Sequence, residues 1–175
     1  MISKKVATNS LVVKENTRMQ CMFNCLHYKV NPKCPPSAPD VKWFRELILA
    51  HENAEVFYEI VEYDNQLDMY AKRKAFQSKV LEYEHIKKRE GYYYALAFHS
   101  GPCSQCGDSA CKLSSCNRWE VGRTPLCGTG IDIQKLCEQL GINSSDSILY
   151  WNQTFSKSIF HDKKNKVLML SIVFY

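Results

Sequence analysis

The chain has 175 residues, 45% hydrophobic and 23% charged, with 7 glycines and 6 prolines, which suits one globular domain (residues 1–175) with its own core and excludes low-complexity or globally disordered chains. A net charge of +5 is a mild basic bias that selects neither an acidic protein nor a nucleic acid as partner. The nine cysteines are the compositional signal, and an odd number cannot all pair within one chain.

At the N-terminus, Lys4 and Lys5 are followed by no apolar run longer than Leu11-Val12-Val13, too short for a signal peptide. The longest apolar stretch, Val167–Tyr175 with Ser171 inside it, is half a membrane span and reads as a buried strand. The expectation is a cytoplasmic protein that meets no membrane, where thiols stay reduced and serve as metal ligands, catalytic groups or small core residues.

The first cysteine group, Cys21-Met-Phe-Asn-Cys25 through Cys34-Pro35-Pro36, has three sulfurs and His27 among polar residues. Ser37-Ala-Pro-Asp40 then has the form of a capping box with proline in the first turn, predicting a helix to about His51 with Val41, Phe44 and Ile48 on one face. Ala54–Tyr63, aromatic and β-branched, is a predicted strand. From about Gln66 to Arg89 the periodicity predicts a long amphipathic helix with a Met69, Phe76, Val80 and Tyr83 stripe. Asp68/Lys72 and Glu84/Lys88 form i,i+4 pairs expected on its solvated faces. Its basic residues Lys72, Arg73, Lys74, Lys79, Lys87, Lys88 and Arg89 are either a docking face or a solvated run.

Gly91 is the expected stop, and Tyr92–Phe98 a strand delivering the chain into the second cysteine group, with Tyr92-Tyr93-Tyr94 read as core and sheet face. That group places Cys103, Cys106, Cys111 and Cys116 in a turn-rich segment after His99, itself either a supporting residue behind the ligands or, as a lone histidine more often is, simply hydrogen-bonded. Cys127 lies in a Thr-Pro-Leu-Cys-Gly-Thr-Gly loop, and Cys137 on a predicted helix Ile131–Leu140 closed by Gly141, where a buried apolar role suits it at least as well as a ligand's. Ser147–Trp151, Thr154–Phe160 and Val167–Phe174 are predicted strands, the last two a hairpin over Asp162–Lys166. The fold class expected is α+β: one mostly antiparallel or mixed sheet, helices packed against a face, and two cysteine-rich metal-binding loops.

The spacing argues for ligands over core filler. No cysteine occurs between Cys34 and Cys103, where much of the apolar material lies, so the thiols gather where the core is not. Two thiolates two residues apart can grip one ion or one cluster edge, and Cys111 and Cys116 complete a four-sulfur set suited to zinc or an iron–sulfur cluster. The C-x2-C-x4-C-x4-C spacing is that of a zinc knuckle with cysteine in place of histidine, but no aromatic lies between Cys103 and Cys116 to stack a base, which disfavours nucleic acid. In the first group C-x3-C lacks the second pair a structural zinc site uses, and Cys-Pro ends the bacterial cluster run. Its fourth ligand is open between Cys127, Cys137, His27 and an exogenous group; a zinc site of three cysteines and a histidine is the alternative.

Cys21-x3-Cys25-x2-Tyr28-x2-Asn31-x2-Cys34-Pro-Pro, then Phe98-x-Ser100-Gly101-Pro102-Cys103-x2-Cys106, then Cys116-x6-Arg123-x6-Gly130-Ile131-Asp132-Ile133, taken in this order, resemble the predicted metal-binding family called domain of unknown function 2284, over about residue 15 to the last strand. The resemblance implies a cytoplasmic cysteine-ligated metal protein of the iron–sulfur type, from a family chiefly of anaerobes, with no established reaction. The later third cysteine after Cys106 and Arg123-Thr124-Pro125 depart from the family pattern, and leave Cys111 the least anchored of its four.

Three functions follow. In the first, one or two [4Fe-4S] clusters on Cys21, Cys25, Cys34, Cys103, Cys106, Cys111 and Cys116, with Cys127 as a further candidate, carry electrons to or reductively activate a redox partner protein. In the second, a three-cysteine cluster with an open iron acts on a small-molecule substrate. In the third, zinc stabilises an interaction module. No phosphate-binding glycine loop, nucleophile elbow or HExxH motif accompanies the cysteines.

Overall fold

A computed structural model describes residues 1–107, 111, 115–153 and 165–175. In chain order it has β1 (Ile2–Ala7), α1 (Met19–Asn24), α2 (Val41–Leu49), β2 (Asn53–Glu62), α3 (Gln66–Arg89), β3 (Leu96–Phe98), α4 (Ile133–Leu140), α5 (Ser144–Ser147) and β4 (Lys166–Phe174), with short 3-10 turns between. The four strands form one antiparallel sheet ordered β1-β2-β4-β3, an α+β arrangement with β2 and β4 at its centre.

Alternation along β4 divides its side chains between two cores. Leu168, Leu170, Ile172 and Phe174 face α2, α4 and the turns around Leu126 and Tyr150. Val167, Met169, Val173 and Tyr175 face the Met69, Phe76 and Val80 stripe of α3. Helices therefore cover both faces of the sheet, not one as the sequence suggested. That is why β4 is a nearly unbroken apolar run: a strand covered twice keeps no polar face.

The predicted elements fall largely in place. Asp40 caps α2 by accepting from the Trp43 amide, so the helix begins at Val41, with Ser37 outside it, and buries Val41, Phe44 and Ile48. Asn65 caps α3, which spans the predicted range. Gly141 closes α4 at φ 74°, a left-handed conformation that glycine adopts without a Cβ penalty.

The departures have physical causes. β1 was not expected; it is an edge strand whose lysines and exposed positions hide the alternation and also discourage edge pairing. Tyr93 and Tyr94 are 79% and 87% exposed in a turn before β3, which starts only at Leu96, because β4 offers partners to three residues alone. Ser147–Trp151 is helical in short turns, and Leu149 and Tyr150 are buried one after the other, which a half-covered strand would not allow. Thr154–Phe160 and most of the predicted hairpin lie outside the described residues. The basic run of α3 is not one face: Arg73 is fully buried and Lys72 and Lys87 pair with Asp68 and Glu90. Glu84, expected on a solvated face, is buried. No helix among the described residues is long and apolar enough to cross a membrane.

Candidate metal centre

Cys21 is buried on α1, and Cys25 is the half-buried C-cap residue, turned to φ −91°, ψ 124° as the helix ends. A chain of tight turns then carries the backbone to Cys34. The Asn31 amide donates to the His27 carbonyl at 3.1 Å, the Cys34 amide to the Asn31 carbonyl at 3.0 Å, and the Lys33 amide to Asn31 Oδ1 at 2.9 Å. Asn31 is itself buried, and its Nδ2 lies 3.5 Å from the Cys103 carbonyl, so one side chain ties the two cysteine segments together.

From the other end of the chain, a 3-10 turn at Leu126–Gly128 presents Cys127, whose amide donates to Tyr150 Oη at 3.3 Å. Cys21, Cys25, Cys34 and Cys127 all line one small pocket of about 10 Å³, with His27 beside them. Pro35, Pro102 and Pro125 complete its wall. Three backbone N–H groups are thereby absent from the lining.

The thiols act on one another. A side-chain hydrogen bond from Cys127 holds the Cys21 thiol below its usual range, helped by the Arg18 charge. The same hydrogen bond, then burial and the neighbouring sulfurs, pushes the Cys127 thiol well up. Burial raises Cys25 to about 11 and, with Cys25, Cys21 and Cys103 adding to it, raises Cys34 well above the usual thiol range. Three of the four sulfurs thus resist ionising and Cys21 alone is eased toward it, so a bound cation is what would let the set ionise together.

The second group hangs on α3. Gln77, fully buried, donates through Nε2 to the Ser100 and Pro102 carbonyls at 2.8 and 3.0 Å and accepts from the Ser104 amide at 3.0 Å. It thus fixes the backbone on both sides of Cys103. Cys103 is buried, Cys111 and Cys116 are half-buried and Cys106 is exposed. Burial raises the Cys106 thiol, with Cys111, Cys103 and Cys116 adding to it, so the other three each act on Cys106. The two groups adjoin: a Cβ on Gly122 would meet Cys116 Sγ at 2.7 Å and Lys33 Cε at 2.8 Å. Glycine is needed there for close approach.

Arg123 closes the segment. Its Nε and Nη2 donate to the two carboxylate oxygens of Glu84 at 2.8 and 2.6 Å, and its Nη1 to the Gly122 and Trp119 carbonyls at 3.1 and 3.3 Å. Glu84 also accepts from the Ala97 amide at 2.8 Å, so one buried carboxylate joins α3, β3 and the loop after Cys116. His99 is fully buried, and neither ring nitrogen has a full hydrogen bond. Burial and the Arg123 cation push it down to about 3, against a weaker pull from the Val121 carbonyl, so it stays neutral near Glu84 and Arg73.

A family model described as predicted metal-binding protein (DUF2284) matches residues 4–154. The chain belongs to this family. No curated protein and no solved structure matches it. The family's description and the donor chemistry agree, since clustered thiolates suit zinc or iron–sulfur clusters. As the side chains stand, no group of three or more His, Cys, Asp or Glu among the described residues is arranged to hold one metal ion.

Of the residues predicted for metal, the structure gathers Cys21, Cys25 and Cys34 round one cavity with Cys127, and Cys103 with Cys106, Cys111 and Cys116. Cys137, the other candidate for the fourth sulfur, is fully buried in the apolar core between α4 and the sheet and pushed up to about 12 by burial. Arg73, Gln77 and Glu84 were missed as supports of the site. Their signal was present, since each sits three to four residues from a member of the buried Met69–Phe76–Val80 stripe, on the helix face that turns inward.

Proposed function

We propose that this chain holds iron–sulfur clusters, of the [4Fe-4S] type, and passes electrons to a partner protein or reductively activates it. The observation that supports this most is the walled cavity where Cys127 joins the three local thiols, placed against a second cysteine group. Bound there, such a cluster supplies one-electron chemistry at a potential that its surroundings tune.

The chain's own residues have definable tasks in this reading. Cys21, Cys25, Cys34 and Cys127 give up their protons to bind, and Pro35, Pro102 and Pro125 keep water off the sulfurs. Asn31 and Gln77 hold the two segments in register, which keeps the path between the groups short. Met22, Phe23 and Leu26, more than half exposed around Cys25, offer an apolar rim on which a partner protein could seat. Because Cys127 faces the cavity, four-thiolate ligation is favoured over an open iron, and a carrier over a catalyst for small substrates.

The test is to purify the chain without oxygen and to measure iron, acid-labile sulfide and zinc together with the visible spectrum. Iron and sulfide in equal amounts, with a reducible absorption band, is the expected result. Stoichiometric zinc without iron would replace this reading with the structural zinc module.

A further inference from the structure

Arg73 is fully buried, and a buried guanidinium is costly unless each N–H finds an acceptor and the charge finds a counter-charge. Its Nε donates to Ser104 Oγ at 3.0 Å, its Nη1 has only the Met69 thioether at 3.8 Å, and its Nη2 has no partner. The Tyr70 ring lies 4.6 Å from the guanidinium carbon. Among the described residues Arg73 forms no ion pair. Arg123, the other buried arginine, shows the contrast, with all three nitrogens donating and Glu84 as counter-charge.

Arg73 lies against Ser104, the neighbour of Cys103, and Asn31 ties the Cys103 carbonyl to the turn that ends at Cys34. Burial weighs most on the Arg73 charge, and Tyr70, Cys103, Cys34 and Tyr150 are the groups that act on it. Tyr70 offers the cation its ring face, and Tyr150 is pushed away from ionising by burial. Only the sulfurs of Cys34 and Cys103 remain as sources of negative charge, one from each cysteine group. Thiols supply it when they become thiolates, as metal binding makes them do.

We propose that Arg73 is the shared counter-charge of the two cysteine groups: its unpartnered Nη2 and its charge are reserved for metal-bound thiolate at Cys34 and Cys103. This rests on the metal-binding reading of those cysteines. Arg73 is a positioning residue, acting on the metal only through the sulfurs. It makes the metal-free fold carry an unbalanced charge that metal loading relieves.

The test compares the chain loaded anaerobically with ferrous iron and sulfide against the metal-free, reduced chain, for wild type, R73Q, R73M and R73K. Thermal unfolding and the release of iron to a chelator are followed. R73Q and R73M should unfold no lower than wild type when metal-free, yet release iron about 10–100-fold more readily when loaded, the range seen when a group supporting a metal ligand is lost. R73K, which keeps the charge without the fork, should fall between. Equal destabilisation of metal-free and loaded protein by R73Q and R73M, or failure of both to fold metal-free, would show an ordinary structural arginine and overturn the proposal, as would unchanged iron release. If wild type itself takes up no iron, the iron–sulfur reading fails and the inference falls with it; if wild type holds iron and R73Q holds it equally well, only the inference falls.

Discussion

The two cysteine groups differ in how the fold encloses them. In the first, Cys21, Cys34 and Cys127 are buried and come from two parts of the chain more than ninety residues apart, so the site exists only when the fold does. In the second, the thiols lie within one short segment, only Cys103 is buried and Cys106 is exposed. A long-range site is coupled to global stability, whereas a local one can assemble and open on its own, anchored at one end by Gln77 and at the other by the Arg123–Glu84 pair.

The widest expected separation between the groups comes from removing single thiols. Cys34→Ala should abolish metal at the first group and lower the unfolding midpoint of the loaded protein more than any other change considered, because binding to the native state adds directly to folding free energy. Cys106→Ala should remove metal from the second group and leave the first loaded. Metal analysis with thermal unfolding of both variants checks this, and equal loss at both groups in both variants would erase the distinction.

Acid should separate them next. Binding takes thiolates, and Cys25 near 11 and Cys34 and Cys127 well above the usual thiol range must each lose a proton to bind. Affinity therefore falls as pH falls, by about tenfold per pH unit for each proton released. Chelator competition between about pH 9 and pH 11, where these raised thiols are still protonated, should show the first group losing metal more steeply than the second. A shallower fall at the first group would contradict the ligand set.

Glu84→Ala removes one partner of a buried ion pair and leaves Arg123 charged and unpaired. The expected cost is about 3–5 kcal/mol in denaturant unfolding of the metal-free chain, with the second group loosened more than the first. Glu84→Gln, which keeps a hydrogen-bond acceptor, should cost less. The Glu84 carboxyl lies below its usual range: burial raises it, but Arg123, Lys88 and the Ala97 amide together lower it further. A depressed carboxyl stabilises the fold above its unfolded pKa, so this contribution is present at neutral pH and lost as acid protonates it.

The smallest effect is expected at Cys137. Cys137→Ala should cost about 1–2 kcal/mol through the small void it leaves beside α4, without changing metal content at either group. Loss of metal in this variant would return Cys137 to the ligand set and weaken the claim of Cys127.

Much of the scaffold was legible because periodicity and caps are local. The α3 boundaries, the inward face of α2, the stop at Gly141 and the buried β4 run each follow from residues within a few positions of one another. β1 was not, since an edge strand shows little of the pattern that burial imposes. The same contrast divides the site. That the cysteines fall in two groups could be read from spacing, because sulfurs close in sequence stay close in space. The choice of Cys127 over Cys137 could not: both are buried, and what separates them is that a 3-10 turn aims one at Cys21 while α4 aims the other at the sheet. The sequence by itself determined which residues are chemically able to bind metal and the local elements that carry them. The tertiary structure alone decided which sulfurs share a cavity, that Asn31 joins the two segments, and that Arg73 and Glu84, polar residues on an amphipathic helix, face inward, because packing both faces of one sheet brings together side chains whose proximity no short stretch of sequence encodes.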